Sequence, residues 1–118
     1  MNVIDGDYIL IEGIDLIYAP GHSQGTQAVS INTKKGKAII SGFCCTTKNF
    51  ILPKQNNKNN IEGKNELLGT QCQVITPGIH INTLDAFDSA NKIMDLADIL
   101  IPQHDSMFMK IKKIPSVL

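Results

Sequence analysis

Three histidines carry the widest range of chemistry in this sequence, at positions 22, 80 and 104. His22 stands in the segment Ala19–Gln27, which reads Ala-Pro-Gly-His-Ser-Gln-Gly-Thr-Gln and follows an apolar run. Neutral imidazole is the commonest protein metal ligand and also a frequent acid or base. A Pro-Gly turn at a strand end can aim such a ring at one point. The alternative interpretation is a loop histidine whose ring only satisfies hydrogen bonds of its own loop.

Apolar and alternating runs predict the strands that position these residues. Two runs at 8–12 and 14–18 are predicted to pair as a hairpin across Gly13. Two more, at 27–32 and 37–41, flank the polar turn Thr33–Gly36, which also suits a hairpin. The first half of the chain is therefore predicted to be a β-meander whose loops present His22 and the Gly42–Phe43 pair at strand ends.

A stripe of apolar side chains predicts one main helix, at about 83–97, with an N-cap at Asn82–Thr83. The stripe consists of Leu84, Ala86, Phe87, Ala90, Ile93, Met94 and Ala97. The residues Asp98–Ile101 then form a short predicted strand that ends at Pro102. His104 is therefore expected just after an α/β unit.

Two further segments have their own composition. Residues 54–66 carry almost no apolar side chain, so they are predicted to be a mobile polar surface loop. Residues 106–118 mix methionine, phenylalanine and isoleucine with lysines, which suits an edge strand protected by charge.

Composition limits the function classes. The 118 residues suffice for a single domain, 1–118, and the 42% hydrophobic and 19% charged fractions are those of a globular protein. The net charge of zero gives no electrostatic reason to expect nucleic acid or an anionic membrane as partner. The apolar runs fall well short of the roughly 20 residues that span a bilayer. Because the start of the chain lacks the features of a signal peptide, we expect a cytoplasmic protein.

The cysteines predict neither a disulfide framework nor a zinc ribbon. Cys44, Cys45 and Cys72 are odd in number, and no Cys-x-x-Cys spacing occurs. Adjacent cysteines form only a strained disulfide. We therefore predict free, mostly buried thiols.

Three segments together resemble the metallo-β-lactamase superfamily. The segment Pro20–Gln27 resembles its Pro-Gly-His-Ser/Thr-x-Gly turn, which contributes a metal-binding histidine. Ile40–Gly42 ends a strand where the family has a small residue, a glycine and then a metal-bridging aspartate. Ile101–Asp105 looks like the family's last strand and last ligand, usually Pro-Gly-His-Asp. The order and rough spacing agree over nearly the whole chain, and the lactonase-like hydrolases are the most similar members.

The resemblance implies an α/β fold, namely half of an αβ/βα sandwich with a mostly antiparallel sheet. Only the C-terminal half of that fold is resembled. The implied activity is hydrolysis of an ester, lactone or amide of a small-molecule substrate by metal-bound hydroxide. The implied cofactor is Zn²⁺ or another divalent transition metal.

The resemblance also implies a set of site residues. His22 and His104 match the family's metal ligands, and Asp105 is predicted to be catalytic, as an oxygen ligand or as the partner of a histidine. His80 and Cys44 are possible additional ligands. The family's His-x-His-x-Asp-His motif does not occur in this sequence, and Phe43 stands where the bridging aspartate is expected.

Half a sandwich leaves one sheet face uncovered, and a sheet must bury that face on something. The chain is therefore expected to be a fragment, a split gene product or a protomer, completed by a missing N-terminal half or by a second copy in a homodimer. By itself it is expected to hold Zn²⁺ weakly or not at all and to show negligible hydrolysis. The alternative is a degenerate, non-catalytic member of the superfamily that serves as a binding or assembly module.

Overall fold

A computed structural model describes residues 2–50 and 74–110 of the chain. It contains a five-stranded sheet in the order β1-β2-β3-β4-β5 and one α-helix. The strands are β1 (Tyr8–Ile11), β2 (Ile14–Tyr18), β3 (Gln27–Thr33), β4 (Gly36–Ile40) and β5 (Ile99–Ile101), and the helix is α1 (Thr83–Leu96). Consecutive strands from β1 to β4 pair antiparallel, and β5 joins β4 in parallel. The predicted meander, the main helix and the mostly antiparallel sheet are confirmed.

One face of the sheet packs against α1 and forms the core. Side chains directly opposite each other on paired strands share a face, and the registers Ile17 with Ala28 and Ile39 with Leu100 define this one. All four side chains are buried in one cluster with residues of α1. Since α1 supplies Ala90, Ile93 and Met94 to that cluster, the helix and the sheet stabilise each other through apolar burial.

The helix begins where the sequence predicts it. Asn82 is the N-cap, and its side chain accepts a hydrogen bond from the backbone N–H of Asp85 at 3.0 Å. The buried face differs from the predicted apolar stripe at Leu84, which is 75% exposed. Ser89 is buried instead, and its hydroxyl donates to the Pro20 carbonyl at 2.6 Å. The helix is therefore rotated so that a serine, rather than Leu84, faces the sheet edge.

The prediction of an edge strand at 106–118 is wrong for its first five residues. Ser106–Lys110 form a 3₁₀ helix. The backbone N–H of Phe108 bonds the Asp105 carbonyl at 3.2 Å, and this spacing of three residues is that of a 3₁₀ turn. Residues 111–118, the predicted polar loop 54–66 and Cys72 lie outside the described residues. None of the helices in the described ranges is long and apolar enough to span a membrane.

Candidate metal centre at one edge of the sheet

The strand directions bring three loops to one edge of the sheet. Because β2, β4 and β5 run the same way, their carboxyl ends lie together. His22 follows β2, Ser41–Thr46 follow β4, and His104 follows β5. Both histidines are exposed there. His22 and His104 therefore lie at a common edge of the sheet. Since β2 and β5 lie three strand spacings apart, about 14 Å, the sharing of one ion by the two rings stays a prediction.

The loops after β2 and β4 touch at Gly42. A Cβ atom at this position would lie 1.6 Å from the Gln27 carbonyl oxygen, so no side chain fits between the two backbones. The Thr26 methyl group would lie 3.4 Å from the same point. The hydroxyl of Thr26 in turn accepts a hydrogen bond from the backbone N–H of Ser23 at 3.0 Å. The turn that carries His22 is thus packed directly against the end of β4.

The loops after β4 and β5 are joined by hydrogen bonds. The backbone N–H of His104 donates to the Cys45 carbonyl at 3.3 Å. Asp105 accepts from the backbone N–H of Thr47 at 2.8 Å and from its hydroxyl at 2.5 Å, both at Oδ2. This carboxylate therefore holds the start of the 3₁₀ helix Thr47–Asn49 against the loop of His104. The catalytic role of Asp105 stays a prediction, and the observed contacts are those of a tether.

His22 is oriented by a backbone carbonyl from a distant part of the chain. Its Nδ1 lies 2.9 Å from the Ile79 carbonyl oxygen. Since a carbonyl oxygen only accepts, Nδ1 carries a hydrogen, and in the neutral ring the lone pair then resides on Nε2. A metal-ligating histidine commonly donates its other ring N–H to a carbonyl in this way.

The backbone next to His22 is held equally firmly. Gly21 has φ +133°, and a Cβ atom there would lie 2.4 Å from the backbone of Ala86 in α1. The Gly21 carbonyl accepts from the N–H of Ile81 at 2.7 Å and of Asn82 at 3.2 Å. The His22 turn is therefore pinned to the first turn of the helix and to the residues before it.

His80 is half-buried in the turn before α1, and both of its ring nitrogens have partners. Nδ1 lies 2.6 Å from the Pro77 carbonyl, and Nε2 lies 2.8 Å from the Thr83 hydroxyl. A neutral imidazole offers one donor and one acceptor, so Nδ1 donates to Pro77 and Nε2 accepts from Thr83. The lone pair that a metal would need is engaged in this contact.

Of the three residues after Gly42, two belong to the core cluster and one lies outside it. Phe43 is 4% exposed and belongs to the core cluster. Cys44 is half-buried and Cys45 is buried, and both are free thiols. Burial raises the pKa of the Cys45 thiol to about 11. Cys44 is therefore the thiol at this edge that is open to solvent.

A cavity of about 260 Å³ lies apart from this edge. Its lining includes Asp15, Ser30 and Lys37 with apolar side chains of β1, β2 and α1, and none of the three loops of the edge contributes to it. The buried Ser30 hydroxyl finds no hydrogen-bond partner among the described residues. The cavity is therefore separate from the candidate metal centre.

The donors at the edge suit a transition metal but form a partial set. Imidazole nitrogens and a thiolate are ligands that Zn²⁺ accepts. Within the described ranges, no three histidine, cysteine, aspartate or glutamate side chains lie close enough together to hold an ion. His22 thus fits the role of a ligand through Nε2, whereas the present rotamer of His80 does not.

Parts of known lactonases match this chain in sequence. It is 41% identical over 39 residues to an N-acyl homoserine lactonase of Bacillus cereus, and that region is 33% of this chain and 16% of the relative. An N-acyl homoserine lactonase of Bacillus thuringiensis subsp. kurstaki is 40% identical over the same length. No family model matches the chain.

Solved structures match over a longer range. An N-acyl homoserine lactone hydrolase, with the product N-hexanoyl-L-homoserine bound at its catalytic metal centre, superposes with a TM-score of 0.59 and 22% identity. The match covers 92% of this chain and 37% of the hydrolase. A Bacillus thuringiensis lactonase with N-decanoyl-L-homoserine at its active site gives the same TM-score, identity and coverage. This chain has part of the metallo-β-lactamase fold.

Within that part of the metallo-β-lactamase fold, the sequence located the loops better than the contacts. The turns of His22 and His104 follow the predicted strands. The Ile79 carbonyl, the Thr47 tether and the packing of Gly21 on Ala86 carry no sequence signal, because each joins residues more than fifty positions apart along the chain. The polar partner of His80 at Thr83, by contrast, lies three residues away, at the start of a predicted helix.

Proposed function

We propose that this chain supplies the C-terminal part of the active site of a metal-dependent lactonase. The observation that carries the proposal is the orientation of His22, whose Nδ1 donates to the Ile79 carbonyl at the sheet edge where the loop of His104 arrives. The solved relatives support it, since one holds a lactone-hydrolysis product at its metal centre. The substrate class proposed here is a small ester or lactone, N-acyl homoserine lactones included.

His22 and His104 would hold the metal, proposed to be Zn²⁺, through imidazole nitrogens. When bound, such a metal supplies Lewis-acid activation of water and of the scissile carbonyl. The Ile79 carbonyl fixes the tautomer of His22. The tether from Asp105 to Thr47 holds the His104 loop against the end of β4. Cys44 is a candidate third donor, because its thiol is half-exposed at the same edge.

The described residues alone do not make a complete set of metal ligands. A catalytic zinc site needs three protein ligands and an open position. The chain spans 37% of the solved relative, so we propose that an N-terminal half, or a second copy of the chain, completes the site. A cytoplasmic location belongs to the same proposal, since the free thiols of Cys44 and Cys45 suit a reducing compartment.

One observation favours a second candidate function. Phe43 stands where the family places a bridging aspartate, and its side chain is 4% exposed in the core. If the Phe43 side chain turned toward the site, it would leave a cavity in the core. A phenyl ring has no donor atom, so Phe43 cannot bind a metal in any orientation. A non-catalytic binding or assembly module that keeps the fold is the alternative proposal.

Metal analysis after dialysis separates the two candidates. The 118-residue chain alone is expected to retain little zinc and to show negligible hydrolysis of a lactone and of a thioester. With a polypeptide carrying the His-x-His-x-Asp-His segment, zinc retention and lactone hydrolysis should appear, and His22→Ala should abolish both. If zinc is still not retained with such a partner, the lactonase proposal fails and the module remains. One tightly held metal in the isolated chain, with turnover lost in His22→Ala, would instead show a complete enzyme.

A further inference from the structure

We propose that His80 is a positioning residue for His22 and acts through the Ile79 carbonyl. The inference rests on the proposed function, because it treats His22 as a metal ligand. It assigns to His80 a different task from the ligand role that the sequence suggests. The contacts that carry it lie in the turn 77–83, which runs from Pro77 to Thr83, the first residue of α1.

The first step concerns the proton of His22. The contact of 2.9 Å with the Ile79 carbonyl requires a hydrogen on Nδ1. A neutral imidazole in water favours the other tautomer, with the hydrogen on Nε2, which cannot bind a metal through that atom. The Ile79 carbonyl therefore selects the form of His22 whose Nε2 can coordinate, as backbone carbonyls do for metal-binding histidines in general.

The second step concerns what holds the Ile79 carbonyl in place. Ile79 is 63% exposed, so its own side chain provides little packing. The ring of His80 bridges the turn instead, from the Pro77 carbonyl at 2.6 Å to the Thr83 hydroxyl at 2.8 Å. A ring that is hydrogen-bonded at both ends closes the turn around Ile79 and anchors it to the first residue of the helix.

The third step concerns the other side of the turn. Ile81 donates its backbone N–H to the Gly21 carbonyl at 2.7 Å, directly before His22. The turn and the His22 loop are thus joined at Gly21, whose carbonyl accepts from both Ile81 and Asn82, and at the contact of His22 with Ile79. If the His80 bridge is lost, the bonds to Gly21 still connect the two segments, but the Ile79 carbonyl can rotate away from Nδ1 of His22.

The test is the tautomer of His22, measured in the metal-free 118-residue chain by long-range ¹H–¹⁵N spectroscopy of the histidine rings above pH 8. In the wild type we expect the form with hydrogen on Nδ1. His80→Ala and Thr83→Val should shift His22 toward the form with hydrogen on Nε2. Thr83→Ser keeps the hydroxyl and should restore the wild-type spectrum. Asn82→Ala removes only the helix cap, so it controls for a weakened helix start.

A His22 tautomer that is unchanged in both His80→Ala and Thr83→Val, with the chain still folded, would overturn the proposal. Thr83→Val replaces the hydroxyl by a methyl group on an exposed residue, so this variant still tests the proposal if His80→Ala unfolds. The readout needs no metal, so it separates this inference from the proposed function. Where a completing partner is present, loss of the bridge should also weaken zinc binding about 10- to 100-fold, the usual cost of removing an outer-shell contact.

Discussion

Phe43, Cys44 and Cys45 are neighbours in sequence, but only Cys44 lies outside the core cluster. Phe43 is buried against the core, and Cys44 is half-exposed at the edge of the histidine loops. Cys45 is 2% exposed, and its sulfur lies 3.1 Å from the Ser41 hydroxyl. Burial disfavours the thiolate, and this outweighs the stabilising hydrogen bond from Ser41, so the pKa of Cys45 is raised to about 11. A thiol of this kind is inert as a ligand or nucleophile at neutral pH.

The raised pKa of Cys45 predicts a loss of stability in alkali. Its ordinary value is 9.0 and its folded value is about 11. Relative to alkaline solution, the protonated Cys45 thiol therefore makes its full contribution to the free energy of unfolding below pH 9. This contribution is lost as the pH rises from 9 through 11, because Cys45 ionises first in the unfolded chain. The free energy of unfolding in urea should fall across this range by at most about 1.4 kcal/mol per pH unit from this group.

Cys45→Ala should show a shallower decline over the same pH range, and Cys44→Ala should keep the wild-type slope because the buried thiol is still present. Equal slopes in the wild type and Cys45→Ala would show that the thiol is exposed to water in solution.

The elements themselves could be predicted from the sequence, whereas their contacts could not. Strand alternation and the helical stripe located β1 to β5 and α1 to within one or two residues. The prediction failed at Ser106–Lys110, where a run of three apolar residues has no period, and the 3₁₀ turn that follows Asp105 decides the conformation. Leu84 was misassigned because Ser89 has a partner at Pro20, 69 residues earlier. Such partners depend on the packed tertiary structure.

The two close backbone contacts at the sheet edge predict large effects of small substitutions. Gly42→Ala places a methyl group on the Gln27 carbonyl, and Gly21→Ala places one on the Ala86 backbone at a φ of +133°. Each should lower the free energy of unfolding by about 3 kcal/mol or more, in the range of severe backbone and overpacking effects. Gly25→Ala, in the same turn as Gly21, has no atom within 4 Å of the new Cβ and should change stability by less than about 0.5 kcal/mol.

Urea unfolding of the three variants at one pH provides the comparison. If Gly42→Ala is as stable as Gly25→Ala, the loops after β2 and β4 do not meet at Gly42 as described.

At the scale of the molecule, the sheet has a second apolar face. A row of directly opposed side chains crosses four strands on the side away from α1: Leu16, Val29, Ile40 and Ile101. All four are half-buried. The strand β1 adds further apolar surface at the end of the sheet, where Tyr8, Ile9, Leu10 and Ile11 are 49% to 73% exposed. Within residues 2–50 and 74–110, the one helix covers only one of the two sheet faces, so this row is the surface on which a second layer would pack.

This apolar row predicts that the chain associates with another polypeptide, either a second copy of itself or an N-terminal half. Sedimentation of the purified chain at micromolar concentration should give a dimer or larger, because two-fold dimers are the commonest assembly and a two-fold axis would pack the same apolar face of both copies together. Val29→Glu places a charge at the centre of the row and should yield monomers that remain folded, since Val29 faces away from the α1 core. Leu84→Glu makes the same apolar-to-carboxylate change at a 75% exposed position of α1 and should leave the assembly intact. A folded monomer at all concentrations down to nanomolar, with Val29→Glu indistinguishable from the wild type, would mean that this face needs no second layer. The site would then have to be completed by some route other than packing on the sheet.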